Sequence, residues 1–420
     1  MYTQRRQKTI AIYTQKVYNY NIFTMLKEDN EKMKKKVALL LALILVFSMF
    51  AAGCGGGDDE AEYAGTVKIG VFEPASGDNG PGGKQEALGV QYANYVQPTV
   101  EIGGETYKVE LVEADNESDN GKAVTAATNL VSSGVSIVLG SYGSAVSIAA
   151  GDVFKDAGMP AMGITCTNPQ VTKGNDVYFR ICFLDPFQGT VLANYAWDNG
   201  MRKAYCLSKL GDDYSVGLAN FFMQAFKAKG GAVVYEQFPD KNSDFTGYVA
   251  NAKKQGCDVF FSPVSIEAAV LIIDQAQAQK LGMPILAGDT WDSNKVAEAA
   301  KGTDVEIIVT TFYQEGGNAQ FDEGIKAWME EDSTALKNNG GNTDLAAVTA
   351  MGYDAYFVAL EAIKAAGSTD PADVLAALPN VEYDGVCGKV VFGENGDAVR
   401  DVAYVKKCNN ETGKWEFLAE

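Results

Sequence analysis

The sequence predicts an α/β protein built as two lobes, each a parallel sheet with helices on both faces. Three observations predict it. Apolar runs of strand length alternate with helical segments of a dozen or more residues, as parallel strands require for their crossovers. That alternation runs twice in tandem, with the second round beginning near residue 185. At 420 residues the chain is also too long for one ordinary core, so two domains are the default.

In the first round, residues 66–74 (TVKIGVFEP) read as a buried strand, 83–96 as a helix, 107–113 as a strand and 119–133 as a helix. Residues 135–169, VSIVLGSYGSAVSIAAGDVFKDAGMPAMGITCTNP, continue the pattern. A strand over 135–139 stops at Gly140, and a turn follows with Ser141 and Ser144. A helix then runs to Gly158, and a second short strand ends in Thr165, Cys166, Thr167, Asn168 and Pro169. In an open parallel sheet such turns fall at the carboxyl ends of strands, where these sheets bind ligands. Helix N-termini there present free N–H groups suited to a carboxylate or phosphate. Ser, Thr and Gly also make ordinary turns and caps, so the composition alone leaves both readings open.

In the second round, strands are expected over 203–210, 232–238, 258–264 and 284–288, with helices over 214–229, 245–255 and 267–281. The last strand runs into Asp289, Thr290, Trp291 and Asp292. After a strand at 306–312 the chain turns helical over 318–336, 344–366 and 371–378, which points to a return to the first lobe. It closes with an apparent hairpin, GKVVF, GENGD, AVRDVAYVK.

The amino end carries a targeting signal. From Met33 the chain reads MKKKVALLLALILVFSMFAAGC: lysines, a short apolar core, then small residues before Cys54. The apolar run is too short for a convincing membrane span. Ala51-Ala52-Gly53-Cys54 resembles a bacterial lipobox, which implies lipidation of Cys54, although Ala51 stands where leucine is more usual. Residues 1–32 fit neither signal nor domain and read as an upstream extension from a misassigned start. Residues 54–65 read as a flexible acidic tether.

Charge excludes several function classes. Asp and Glu number 54 against 35 Lys and Arg, and no basic stripe is present to follow a phosphate backbone, so nucleic acid is not an expected partner. The chain has no histidine, which removes Ser-His-Asp and Cys-His catalysis and most catalytic zinc sites. No Walker-type loop or nucleophile elbow is found, and an enzyme is not expected. Six cysteines follow Cys54 without metal-binding spacing. Cys206 and Cys257 lie in apolar strands and read as small buried hydrophobes. Cys387 and Cys408 flank the apparent hairpin symmetrically and form a candidate disulfide across its strands.

Several segments together resemble the type I solute-binding proteins of bacterial branched-chain amino-acid ABC transporters. They are IGVFEPASGDNGPGG, MPAMGITCTNPQVT, RICFLDPFQG, GDDYSVGLANFF, PILAGDTWDS and GKVVFGENGDAVRDVAYV, in order, within residues 66–420. The resemblance implies two Rossmann-like lobes joined by a three-crossover hinge, closing around a small ligand. It implies a first lobe of 66–184 plus 313–388 and a second of 185–312 plus 389–420, after a signal peptide at 33–53. Carried over by position, Ser144 and Thr167 match the hydroxyl donors to a ligand carboxylate, and Thr165 the carbonyl acceptor for its ammonium. Tyr214 matches a tyrosine that contacts the ligand after closure, and Asp289 the acidic partner of the ammonium.

A zwitterion requires this division, because desolvating either charge without a partner costs several kcal/mol. Each position also has a plain structural use: Ser144 and Asp289 as helix caps, the threonines as strand-end packing, Tyr214 as packing beneath the cleft. Two positions depart from the family's aromatic walls, Gly82 and Ser265, so leucine, isoleucine or valine is not a secure ligand. Trp291 and Phe187 are the candidates to rebuild an apolar wall.

The function implied is an exported, lipid-anchored, monomeric receptor that hands an amino acid or related amide or carboxylate to an ABC permease, with no metal or cofactor. The alternative is a sensory ligand-binding module on the same fold, which would need a separate membrane partner.

Overall fold

The computed structural model describes residues 63–419. The signal peptide, Cys54 and most of the tether lie outside the described residues. Six strands, β1 Gly65–Glu73, β2 Thr99–Ile102, β3 Glu105–Asp115, β4 Ile137–Leu139, β5 Ala161–Gly163 and β6 Tyr178–Arg180, form the first sheet in the order β2-β3-β1-β4-β5-β6. Only the edge pair β2–β3 is antiparallel. The strands β7 Lys203–Lys209, β8 Ala232–Phe238, β9 Val259–Phe261, β10 Ile285–Ala287 and β11 Ile307–Thr311 form the parallel part of a second sheet. A separate antiparallel pair is β12 Glu382–Gly385 with β13 Gly388–Val391. Then β14 Tyr404–Asn409 and β15 Lys414–Ala419 extend the second sheet beyond β11, antiparallel.

Helices cover both faces of both sheets, as parallel strands demand. They are α1 Gly80–Val96, α2 Asn120–Ser132, α3 Ser144–Ala157, α4 Asp185–Asp198, α5 Asp213–Ala228, α6 Thr246–Lys254, α7 Ile266–Ala278, α8 Asn294–Ala300, α9 Ala319–Glu331, α10 Ser333–Asn338, α11 Ala347–Ala366 and α12 Pro371–Ala377. Among the described residues no helix is long and apolar enough to cross a membrane.

Alternation along each strand builds two half-cores per sheet. Val67, Ile69 and Val71 of β1 join Ile137, Leu139 and α11 on one face. Phe72 and Val138 join Leu130 and Phe154 on the other. In the second sheet Tyr205 and Leu207 face one core, and Ala204 and Cys206 the opposite one. Each large side chain buried this way contributes roughly 1.5–3 kcal/mol by leaving water.

The chain passes between the sheets three times: after β6, after β11 and again before β14. The long helical return packs α11 on α1 with their backbones in contact. A Cβ on Gly89 would lie 1.9 Å from the Thr349 carbonyl oxygen, and one on Gly352 would lie 2.2 Å from that of Glu86. Only glycine permits this approach, and it fixes Glu86 beneath the carboxyl ends of the strands.

The terminal hairpin closes only at its tip, where Phe392 bridges Ala398, the Gly393 N–H donates to the Asp397 carbonyl at 2.8 Å and the Val399 N–H to the Val391 carbonyl at 2.9 Å; its arms pair elsewhere. The GKVV strand turns back through Val386 and Cys387 onto β12, while Tyr404–Asn409 joins the second sheet. Between them, Asp397 bridges Arg180 at the edge of the first sheet, with the Arg180 N–H donating to the Gly396 carbonyl at 2.9 Å. Residues 389–398, expected in the second lobe, therefore lie against the first. The turn at Val386 and Cys387 was missed because the strongest turn signal, Gly396-Asp397, lies further on. Cys387 and Cys408 consequently belong to different sheets, and all six described cysteines are free thiols. The expected pairing is corrected on that ground. Cys206 and Cys257 are buried, as expected of small hydrophobes.

Candidate functional site

Loops at the carboxyl ends of strands from both sheets converge on one cleft. From the first lobe come the ends of β1 and β4 and the residues after β5; from the second, those after β7, β9 and β10. Asn79 Oδ1 accepts from the Ile266 N–H at 3.1 Å, and the Asp78 carbonyl from the Glu267 N–H at 3.1 Å. Lys209 Nζ reaches Asp78 Oδ2 at 3.0 Å. The Tyr142 hydroxyl donates to the Thr290 carbonyl at 2.8 Å. Closed this way, the cleft retains a cavity of about 50 Å³ lined by Tyr142, Gly143, Ser144, Tyr214, Ser265 and Thr290, among others.

One end of that cavity is a donor surface. Helix α3 begins at Ser144 behind Gly143, which offers no side-chain cap, and its first turn faces the cavity. Neighbouring helices differ: Asp212 caps α5 and Ser265 caps α7 through side-chain oxygens. The N-terminus of α3 thus keeps its N–H groups and positive dipole end for an anion. Ser144 Oγ accepts from the Asn168 N–H at 3.2 Å, leaving its own proton to donate.

Behind Tyr214, which lines the cavity, lie buried carboxyls. Asp289, 3% exposed, accepts at Oδ1 from Gln188 Nε2 at 2.7 Å and from the Tyr214 hydroxyl at 3.0 Å. Burial pushes its carboxyl up to about 6 despite these donors. Three residues on, Asp292 turns inward and is neutralised by Lys406 at 3.0 Å, both nearly inaccessible to water. Asp185, at the start of α4, is fully buried and pushed up to about 8 by burial. Beneath the first lobe's turns, Glu73 Oε2 accepts from the Tyr142 N–H at 2.7 Å, and Glu86 Oε2 accepts from the Thr165 hydroxyl. Burial, with each other's charge nearby, holds the Glu73 carboxyl well above the ordinary carboxylate range; burial raises Glu86 as well.

The expected site residues divide accordingly. Ser144, Tyr214 and Ser265 line the cavity, and Asp289 is held against Tyr214. Thr165 and Thr167 sit in the buried loop after β5, Thr165 bonded to Glu86 and Thr167 beside Asp185. Trp291 is not a cavity wall. It is fully buried in the second lobe's core, its indole N–H donating to the Val264 carbonyl at 3.0 Å, and it supports the Asp289 turn from behind. Phe187 packs on Phe183 at 6.0 Å between ring centres, against the first lobe's core.

Sequence reasoning missed Tyr142, Gln188, Arg180, Glu73 and Glu86. Tyr142 fills the place left open by Gly82: a Cβ there would lie 2.5 Å from the Tyr142 ring. Arg180, 0% exposed, donates to the Cys166 carbonyl at 2.8 Å and the Asn168 carbonyl at 2.5 Å and pairs with Asp397 at 2.6 Å, clamping the loop that carries Thr165 and Thr167. The available signal was a charged residue inside an apolar stretch: arginine in YFRICF and glutamate closing IGVFE. Among the described residues no group of His, Cys, Asp or Glu side chains is arranged to hold a metal ion.

Residues 66–413 match the periplasmic binding protein family. A Leu/Ile/Val-binding protein homologue of Brucella abortus is 29% identical over 335 residues, 79% of this chain and 87% of that one. Among solved structures, a leucine binding protein from Thermotoga maritima superposes with a TM-score of 0.75 at 31% identity, covering 84% of this chain and 98% of that chain. A branched-chain amino-acid transporter substrate-binding protein from Streptococcus pneumoniae, in complex with isoleucine, superposes with a TM-score of 0.73 at 26% identity, covering 84% and 100%.

Proposed function

The chain belongs to the periplasmic binding protein family, in its branched-chain amino-acid branch, and from that premise we propose that it is the substrate-binding component of an ABC importer, capturing an amino acid between its lobes. The observation that supports this reading is the make-up of the cavity. The uncapped N-terminus of α3 with Ser144 lines it, and Tyr214, which lines it too, donates to the buried Asp289. That is the complement of an α-carboxylate and an α-ammonium. The neutral donors on Asp289 orient it without consuming its charge, so an arriving ammonium finds a preorganised partner.

Hinge motion at the three interlobe passages opens and closes the cleft, which the contacts of Asp78 and Asn79 with Glu267 and Ile266 hold shut. The protein performs no chemistry on its ligand. It hands the ligand to a membrane permease, acts as a monomer and is tethered by a lipid on Cys54, a reading that rests on the 33–54 segment. Mass spectrometry of the mature amino terminus checks the anchor: a diacylated Cys54 is expected, and an unmodified Cys54 or a different first residue contradicts it.

The functional test is a thermal-shift and calorimetric screen of amino acids, short amides and aromatic acids. At least one α-amino acid should raise the melting temperature and bind with unit stoichiometry. A folded sample unmoved by every amino acid sinks the reading.

A further inference from the structure

The wall that Gly82 leaves open is filled by Tyr142, and the way it is held bears on what the cleft can take. A Cβ at position 82 would lie 2.5 Å from Tyr142 Cζ and 2.8 Å from its hydroxyl oxygen. The phenol end cannot swing aside freely, because both ends of the residue are fixed. Its N–H donates to Glu73 Oε2 at 2.7 Å, and its hydroxyl crosses the cleft to donate to the Thr290 carbonyl at 2.8 Å. Tyr142 comes from the first lobe, in the turn between β4 and α3, yet it packs in the second lobe's core cluster with Val264, Ile266 and Trp291. Glycine and ring are therefore a matched pair, and together they set a partition across the closed cleft.

That partition borders the ligand's space. Tyr142 lines the interlobe cavity two residues before Ser144, the expected donor to the ligand carboxylate. A carboxylate seated at the α3 terminus brings the rest of the ligand up against the ring. The other side chains around the cavity include Asn79, Ser118 and Ser265, which give a branched apolar side chain little to pack against. The space itself is small: about 50 Å³ is room for roughly four waters, the scale of the smallest amino acids and short of leucine.

We propose that Tyr142 determines the specificity of the cleft, excluding branched and aromatic side chains so that the ligand is a small amino acid such as glycine, alanine or serine. The proposal rests on the amino-acid reading given above and narrows it. Selection is by shape. A larger side chain must push the ring off Gly82 or break its bond to Thr290, and either change holds the lobes apart. A clash built against the wrong ligand discriminates without any new contact to the right one.

The test is titration calorimetry of the common α-amino acids on the parent protein and on Tyr142→Phe, Tyr142→Leu and Tyr142→Ala, with folds checked by circular dichroism. In the parent, glycine, alanine or serine should bind about tenfold or more tighter than leucine, isoleucine or phenylalanine. Tyr142→Phe should keep that order at lower affinity, since the ring remains and only the bond to Thr290 is lost. Tyr142→Ala removes the partition and should cut the preference about tenfold, by gaining affinity for the larger ligands. Tyr142→Leu should shift the preference the same way by less, and it decides the matter if the alanine variant does not fold. Affinity lost equally for every ligand in the folded variants, with the preference unmoved, makes Tyr142 merely structural and overturns the inference. So does any of the three larger amino acids matching the tightest small one in the parent. Both results leave the amino-acid reading intact, whereas failure of every amino acid to bind overturns both.

Discussion

Within each wall of the cleft, buried carboxyl groups are treated in two opposite ways. On the second lobe, Asp292 points into the core and meets Lys406, while Asp289, three residues earlier, accepts from the neutral side chains of Gln188 and Tyr214. On the first lobe, the buried guanidinium of Arg180 is spent on loop carbonyls and Asp397, while Glu73 and Glu86 are left without any cation. The difference separates structure from recognition. A carboxylate paired with lysine or arginine keeps its charge inside the fold; one given only neutral donors is pushed by burial toward its neutral form. The same contrast appears at the helix ends, where α5 and α7 are capped and α3 is not.

The comparison can be broken at each point. The largest effect should come from Lys406→Met, which leaves the buried Asp292 without a counter-charge, its Oδ2 held only by the Thr311 hydroxyl, and should cost about 3–5 kcal/mol in urea unfolding. A loss under 1 kcal/mol would remove the distinction between the two aspartates. Next, Asp289→Ala should weaken amino-acid binding about a hundredfold with little change in the melting temperature, since an ammonium would be left buried without its counter-charge. Unchanged affinity by calorimetry would refute its ammonium role. Asp185→Asn probes the unpaired acids by pH. Its carboxyl is raised to about 8, so the stability it contributes in the ligand-free protein is present at acid pH and lost as pH rises through that value. The variant should be more stable than the parent near pH 8 and show a flatter melting profile between about pH 4 and 8. The smallest effect is expected from Ser144→Ala, about fivefold in affinity for the loss of one hydrogen bond.

Much of this architecture was legible because parallel strands, buried on both faces, write themselves as apolar runs, and their crossovers as periodic helices. The cleft loops were legible as hydroxyl-rich stops after such runs, which placed Ser144 and Tyr214 on one cavity. What escaped depended on contacts distant in the chain. Nothing local in GGKQEALG marks Glu86 as buried; its position follows from the glycine contact of α1 with α11, more than 250 residues later. Trp291 misled because an aromatic beside an acidic turn reads equally as wall or as core. Its indole N–H bond to Val264 settles it as core. The arms of the terminal hairpin, beyond its paired tip, misled because alternation shows where a strand is, not which neighbour it pairs with.

A zwitterion held from both ends is tested most directly by removing each end in turn. An amino acid that stabilises the protein would be compared by calorimetry with its deaminated acid and its decarboxylated amine. Loss of at least a hundredfold in affinity for both analogues is the predicted result, the acid failing for want of a partner to Asp289 and the amine for want of one to the α3 terminus. An analogue that binds as well as the parent amino acid would contradict it.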